Sequence, residues 1–513
     1  MRKYLFISIF GMLFSVSYSQ DINDALRYSQ TNINGTARFR AMGGAFTALG
    51  GDLSAISINP ASSVVFNNNQ MGFTLSNYNI KNKSEYFNEN SSKNESDVDI
   101  NQAGAVWIFE DYNPENKWGK FAFSMNYDNM SPFVNNSITR GINPNNSIAN
   151  YFLNQANDIP LDLLQTKNNE TSADLYMYLG ENYGNRHQTA FLGYDTYILE
   201  AVDPANLNNT QYFSNVPNGN YNQVIHNTQE GYNGKFSFNL ATEYDEKLYL
   251  GLNLNAHSVD YQSTNTFLES NSNTKNTTGE TIREIRYQTE LRTRGSGFSF
   301  QLGAIARITD EFRVGLTYQS PTWYRLEDEL MQRVSTRREN NTNTGTFNAS
   351  FNEGIVNIYP KYKLQSPAKY SIGAAYIFED IGLVSVDYSL KNYSTTKFKP
   401  ESEDFFRFQN DLISNVLDTT SEVRVGVERK IKQWSLRAGY NYEQSPFKNG
   451  NTIGDLQQYS VGFGYNFGST KLDLAYSRSD REYNQSLLNT GLTDTSKIKI
   501  TNNNVFLTLL FEF

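Results

Sequence analysis

Apolar side chains recur at every second position in many segments of this chain, and the links between the fourteen segments that read as strands alternate strictly between short and long. Phe121, Phe123, Met125 and Tyr127 alternate with Lys120, Ala122, Ser124 and Asn126. Leu248, Leu250, Leu252 and Leu254 alternate with Tyr249, Gly251, Asn253 and Asn255. Phe312, Val314, Leu316 and Tyr318 alternate with Arg313, Gly315, Thr317 and Gln319, and Tyr459, Val461, Phe463, Tyr465 and Phe467 with Ser460, Gly462, Gly464 and Asn466. Period two places one set on each face of a strand. A soluble sandwich packs its apolar face inward, whereas a membrane barrel turns that face to lipid and lines its lumen with the polar one.

Connection length separates the two cases. Strands are expected near 71–81, 99–110, 118–128, 234–245, 247–261, 281–309, 311–320, 368–379, 382–392, 421–430, 433–443, 457–467, 470–479 and 503–513. The links after 110, 245, 309, 379, 430 and 467 are one to seven residues, and those after 81, 128, 261, 320, 392, 443 and 479 are long. Tight periplasmic turns opposite long outer loops are the layout of an outer-membrane barrel, and an even strand number leaves both ends on the periplasmic side. The expected fold is therefore all-β, a 14-stranded antiparallel transmembrane β-barrel over 71–513. Within 281–309 the apolar phase slips from Ile285, Tyr287 and Leu291 to Phe298, Phe300 and Leu302, across Gly295-Ser296-Gly297. A β-bulge in one long strand explains the slip; a hairpin would give fifteen strands and spoil the parity. The last strand ends Val505, Leu507, Leu509, Phe511, Phe513. That terminal aromatic resembles the signal read by the barrel-assembly machinery.

Composition agrees. Hydrophobic residues are only 38% of 513, while Tyr and Phe number 34 each, as suits thin lipid-facing strands with aromatic girdles. There is no Cys, which excludes disulfides, thiolate metal sites, a Cys nucleophile and a lipoprotein anchor. The net charge of −9 carries no basic footprint for nucleic acid. Residues 1–19 read as a signal peptide: Arg2 and Lys3, a short apolar core from Tyr4 to Val16, and small Ser17 and Ser19 before a cut ahead of Gln20. No later stretch is long and apolar enough for a transmembrane helix, and a closed barrel is the other way to cross.

Residues 20–70 do not alternate. They carry Gly43-Gly44, Gly50-Gly51 and small residues from Ala41 to Ala48, which suit packing in a confined lumen. A fourteen-stranded barrel leaves an open pore unless filled, so this segment is expected to be an N-terminal hatch. A disordered tail is the alternative, against which stand Ala45, Phe46, Ala48, Leu49, Leu53, Ile56 and Ile58.

Ala41-Met42-Gly43-Gly44-Ala45-Phe46-Thr47-Ala48, then Asp52 to Ile56 and Asn59-Pro60-Ala61, resembles the hatch of FadL/TodX-type outer-membrane transporters, a family of fatty acid and hydrocarbon channels. Gly315 to Pro321 is similar to the family's strand before a long loop. Ser366-Pro367-Ala368 with Gly373, Asp387 and Tyr393-Ser394 resembles its central hairpin, and Leu436 to Tyr440 with Ser445-Pro446 its late strand and loop. The resemblance spans 36–513 and implies a plugged barrel in the cell outer membrane. It implies passive uptake of hydrophobic compounds, long-chain fatty acids or aromatic hydrocarbons, by loop capture, hatch shift and lateral release. It implies that Asn59, Pro60 and Ala61 border the pocket, where a plain turn is the alternative, and that the wall opens at a kink of the third strand. Here that strand runs into Asn129-Met130-Ser131-Pro132. The outer-loop insert 129–233 departs from the family. Some FadL-like barrels of the PorV type serve protein secretion, and long Asn- and Tyr-rich loops would then dock a protein partner.

The insert shows helical spacing at Ile148, Phe152 and Ala156 with Leu153, and at Leu175, Leu179 and Tyr183. Such small helices could form an apolar landing groove or merely pack on each other. A carboxylate ligand needs a cation, for which Arg313, Arg424 and Arg437 in the lumen are candidates, with Arg38 and Arg40 in the hatch; each is more often a salt-bridge residue. His187, His226 and His257 lack metal spacing, and His257 has no recognisable catalytic partner. No enzyme activity and no cofactor are expected. The expected partners are hydrophobic small molecules, outer-membrane lipid and the barrel-assembly machinery.

Overall fold

Fourteen strands close into one ring. The computed structural model describes residues 22–30, 33–113, 115–340, 345–379 and 381–513; the expected signal peptide at 1–19 lies outside them. The ring strands are β1 (Gln70–Tyr86), β2 (Glu89–Glu110), β3 (Lys120–Pro132), β4 (Tyr221–Tyr244), β5 (Leu248–Ser270), β6 (Glu280–Arg307), β7 (Phe312–Gln319), β8 (Lys369–Phe378), β9 (Gly382–Asn392), β10 (Thr419–Ile431), β11 (Trp434–Glu443), β12 (Leu456–Asn466), β13 (Thr470–Ser486) and β14 (Thr495–Glu512). Each pairs antiparallel with the next, and β14 returns to β1 from Gln70↔Glu512 to Glu85↔Lys497. Closure gives every ring strand a neighbour on both sides, and an unpaired backbone group in the bilayer has no water to bond. Met71, Phe73, Phe236, Phe238 and Val461 point outward and are exposed, while Thr74, Ser76, Asn239, Asn253 and Ser385 point inward and are buried. Apolar out and polar in is the arrangement a membrane wall requires.

All fourteen expected strands are present, and they differ mainly at their outer ends. The long loop expected after residue 81 is instead a continued hairpin: β1 and β2 pair up to Tyr86↔Glu89. Phe87 and Asn88 turn it with φ of 45° and 62°, the left-handed pair of a type I′ turn. The hairpin's buried side chains Asn82 and Ser84 are themselves polar, and Asn82 bonds Asn135 and the Asn136 carbonyl, so the sequence carries no apolar alternation there.

β6 is one strand of 28 residues, and the expected bulge at Gly295–Gly297 is absent. Its register with β5 runs unbroken from Leu248↔Ala306 to Ser270↔Glu284. The apolar phase slips because the environment inverts. Phe298 and Leu302 face lipid at 47% and 48% exposure, while higher up Ile285 and Tyr287 face inward at 2% and 4%. The extra residue sits in the neighbouring chain segment. There Gln319 faces Gln301 and Trp323 faces Phe298, so the chain kinks at Ser320-Pro321-Thr322 and β7 continues upward as Trp323–Asn340. β8 is preceded in the same way by Tyr362–Gln365, with Ser366-Pro367-Ala368 between.

The insert caps the outer mouth. It contains three helices where two were expected: α3 (Ala149–Ala156), α4 (Ser172–Asn182) and α5 (Asn185–Asp195). Their apolar faces bury against the inward sides of the raised strands, on Phe267, Ile285, Tyr287, Val334 and Phe351. The Glu269 carboxylate anchors the start of α3, accepting hydrogen bonds from Ser147 Oγ, from the Ile148 N–H at 2.8 Å and from Gln223 Nε2 at 2.8 Å. A negative group there satisfies helix donors and complements the dipole. Another outer loop carries a helix, Asp404–Val416, that the alternation did not announce.

Candidate functional site

The hatch fills the lumen by fitting a seat of glycines. Gly251 and Gly303 face each other across β5 and β6, Gly315 and Gly373 across β7 and β8, and Gly426 and Gly439 across β10 and β11. A Cβ on Gly303 would lie 2.6 Å from Pro60 Cδ, and one on Gly426 2.6 Å from the Met42 carbonyl oxygen. Side chains at these inward positions would occupy the volume the hatch backbone takes.

Within the hatch, Thr36 caps a short helix, α2 (Ala37–Ala41), by accepting from the Phe39 N–H at 3.2 Å. Thr36 also donates to Asp52 at 2.8 Å, and the Ser54 N–H donates to the same carboxylate at 2.9 Å. Burial pushes the Asp52 carboxyl above its usual range, against the pull of Arg38. At the expected corner, Asn59 Nδ2 donates to the Thr47 carbonyl at 2.7 Å and to Ala304 of the wall at 3.1 Å, while its Oδ1 accepts from the Ala61 N–H at 3.1 Å. The Pro60 carbonyl accepts from Asn239 on β4 at 2.9 Å. One asparagine thus ties two hatch turns to the wall.

The candidate cations are engaged. Arg437 bonds Glu428 at 2.6 Å and Asp473 at 2.5 Å, and Arg38 reaches Glu428 at 2.8 Å. Arg424 and Lys369 share Glu422, each at 2.6 Å. Arg313 donates to the Leu49 carbonyl at 3.2 Å. Arg40 is buried without a carboxylate partner among the described residues; it donates to Ser477 at 2.9 Å and stacks over Phe506 at 4.3 Å. Phe152, Leu175 and Leu179 are buried within the cap, with Leu153 packed against that core. They hold the helices together and present no open groove on their own.

Between hatch and cap lies a packed aromatic cluster, a chamber filled by the chain itself, that the periodicity did not reveal. Its wall includes Phe133, Tyr261, Tyr324, Tyr362, Phe398 and Phe406. The N-terminal helix α1 (Ile22–Ser29) occupies it, with Leu26 and Tyr28 buried. Tyr28 meets Phe133 edge-on at 6.2 Å, Arg27 sits over Tyr261 at 4.1 Å, and Lys391 Nζ donates to the Ser29 carbonyl. At the chamber floor His257 pairs with Ser299 at 2.9 Å, a contact that only the β5–β6 register creates. Among the described residues the ring's other nitrogen has no hydrogen-bond partner.

The wall itself is interrupted at β3. Pairing of β2 with β3 stops at Gln102↔Asp128, and the β3–β4 register shifts between Asn129 and Ser131. Above that point β2 is held to the segment Asn135–Asn143 by side chains, such as Ser91 Oγ on the Ile138 carbonyl at 2.7 Å. Hatch residues converge on the same point. Ser57 donates to Asp128, Asn34 donates to the Asn129 carbonyl at 2.6 Å, and Asn101 donates to the Gly35 carbonyl at 2.9 Å. Asp128 also faces Lys235 at 3.8 Å.

A closed fourteen-strand wall, a lumen filled by the chain's own N-terminal segment and a seam where filler meets wall define a plugged outer-membrane barrel. Residues 209–509 match the family model for outer membrane protein transport proteins of the OMPP1/FadL/TodX type, and the chain belongs to that family. The crystal structure of a Pseudomonas aeruginosa FadL homologue is 13% identical, covers 94% of this chain and 99% of its own, and superposes with a TM-score of 0.51. The Pseudomonas putida toluene transporter TodX is 13% identical over 94% of this chain and 100% of its own, with a TM-score of 0.48. No curated protein matches the chain.

Proposed function

We propose that this barrel admits hydrophobic compounds, long-chain fatty acids or aromatic hydrocarbons, passively across the outer membrane. The observation that carries the reading is the lapse of the β2–β3 ladder at Asp128, where Ser57 and Asn34 of the hatch are tied to the wall. An apolar solute captured at the cap enters the aromatic chamber, displaces α1, shifts the hatch about the Asn59-Pro60-Ala61 corner and leaves sideways at the seam. The hatch is joined to the wall by polar side-chain contacts that can exchange, and partition into the bilayer drives the passage downhill. The C-terminal strand, ending in Phe513, is the proposed contact for the assembly machinery. Uptake of radiolabelled oleate and of labelled toluene is to be compared in a deletion strain with and without the gene. Equal uptake of both probes in the two strains would reject transport.

A further inference from the structure

The lipid-facing surface carries a feature that uptake does not use. Just above the outer aromatic girdle, where Trp323 stacks on Phe298 at 6.4 Å, three cations stand in cross-strand register. Arg325 faces Lys363, and Lys363 faces Lys399. Their neighbours Tyr324, Tyr362 and Phe398 are buried in the chamber wall, so the alternation of each strand turns the cations outward. Like charges directly opposite one another destabilise a sheet.

Nearby charges are balanced and these are not. Lys361 pairs with Glu327 at 3.5 Å, Arg294 with Glu329 at 3.5 Å and Lys397 with Glu401 at 3.1 Å. Among the described residues, no ion pair reaches Arg325, Lys363 or Lys399. Below the row, where the same three strands continue as β7, β8 and β9, the wall is hollowed into an apolar trench of about 640 Å³. Leu316, Tyr318, Tyr370, Ile372, Tyr388 and Leu390 line it over a floor of Gly303 and Ala304. Tyr318 to Arg325, and Tyr370 to Lys363, are each seven residues apart, no more than about 23 Å at the ordinary strand rise, and an acyl chain extended from a headgroup at the row runs along this path toward the trench.

We propose that the Arg325–Lys363–Lys399 row binds the phosphate groups of a phosphorylated glycolipid of the outer leaflet, with an acyl chain lying in the trench beneath. The row supplies the positive charge a phosphate needs, the girdle marks the headgroup depth, and the trench receives the tail. The bound lipid relieves the repulsion built into the row.

The test uses the full barrel in detergent and R325Q/K363Q/K399Q, with R325K/K363R/K399R as the charge-preserving control. Heat-modifiable migration on gels verifies folding of each. Binding of bis-phosphorylated lipid A is measured by native mass spectrometry, beside its dephosphorylated form and inorganic phosphate as competitor. The expected result is binding at least about tenfold weaker for the Gln variant and for dephosphorylated lipid, retention by the control, and no competition by phosphate. Equal binding by the Gln variant, or by the dephosphorylated lipid, would overturn the site. Displacement by inorganic phosphate at equal concentration would overturn the lipid as its occupant.

Discussion

Arg38 of the hatch and Glu428 of the barrel wall form an ion pair at 2.8 Å, and the same carboxylate oxygen holds Arg437 at 2.6 Å. The acid is therefore shared between the hatch and the wall. Glu428→Ala leaves the half-buried Arg38 without its acid, while Arg437 keeps Asp473. Removing one member of a buried pair costs about 3–5 kcal/mol. The expected outcome is a lower unfolding temperature together with frequent open-channel currents in planar bilayers, where the unaltered barrel stays closed.

Gly303→Val places a branched side chain where Pro60 already sits against the wall. The barrel still closes, because the outward face is untouched, but the hatch cannot seat. Trypsin added from the periplasmic side is expected to cut within 34–66 in this variant and to spare the parent protein.

The chain has no cysteine, so a pair introduced at the seam reports without background. Asn129 donates to Asp99 across it. A D99C/N129C double variant, bridged by a short bis-thiosulfonate reagent, is expected to lose oleate uptake and to regain it on reduction. Full uptake with the bridge in place would move the release point elsewhere.

Glu269→Ala removes the acceptor that Ser147, Ile148 and Gln223 share. Loss of a helix cap and of charged hydrogen bonds costs about 2–4 kcal/mol, confined to the outer cap. Limited proteolysis is expected to speed up within 157–170, while heat-modifiable migration of the barrel is unchanged.

Much of the wall was legible from residues such as Phe121 to Tyr127 and Tyr459 to Phe467, since lipid on one side and a polar lumen on the other write their difference into every second position. The hatch was legible as a segment with glycines and no alternation. What periodicity could not show was the seat itself. Gly251 and Gly303 meet through register and receive Asn59-Pro60 from a distant part of the chain. The aromatic chamber is invisible to periodicity for the same reason, since Tyr261, Tyr324, Tyr362 and Phe406 come from separate loops and strands. So did the pairing of His257 with Ser299.

A fourteen-strand membrane wall with short turns on one side is already written in the residues, because alternation and link length are local properties of each segment. Only the assembled ring fixes where the apolar face of β6 inverts, which wall residues hold the hatch, where the β2–β3 ladder lapses and which cations line up on the outer surface. Those outcomes depend on which strand stands beside which and at what stagger, and barrel closure sets that stagger for the whole ring at once.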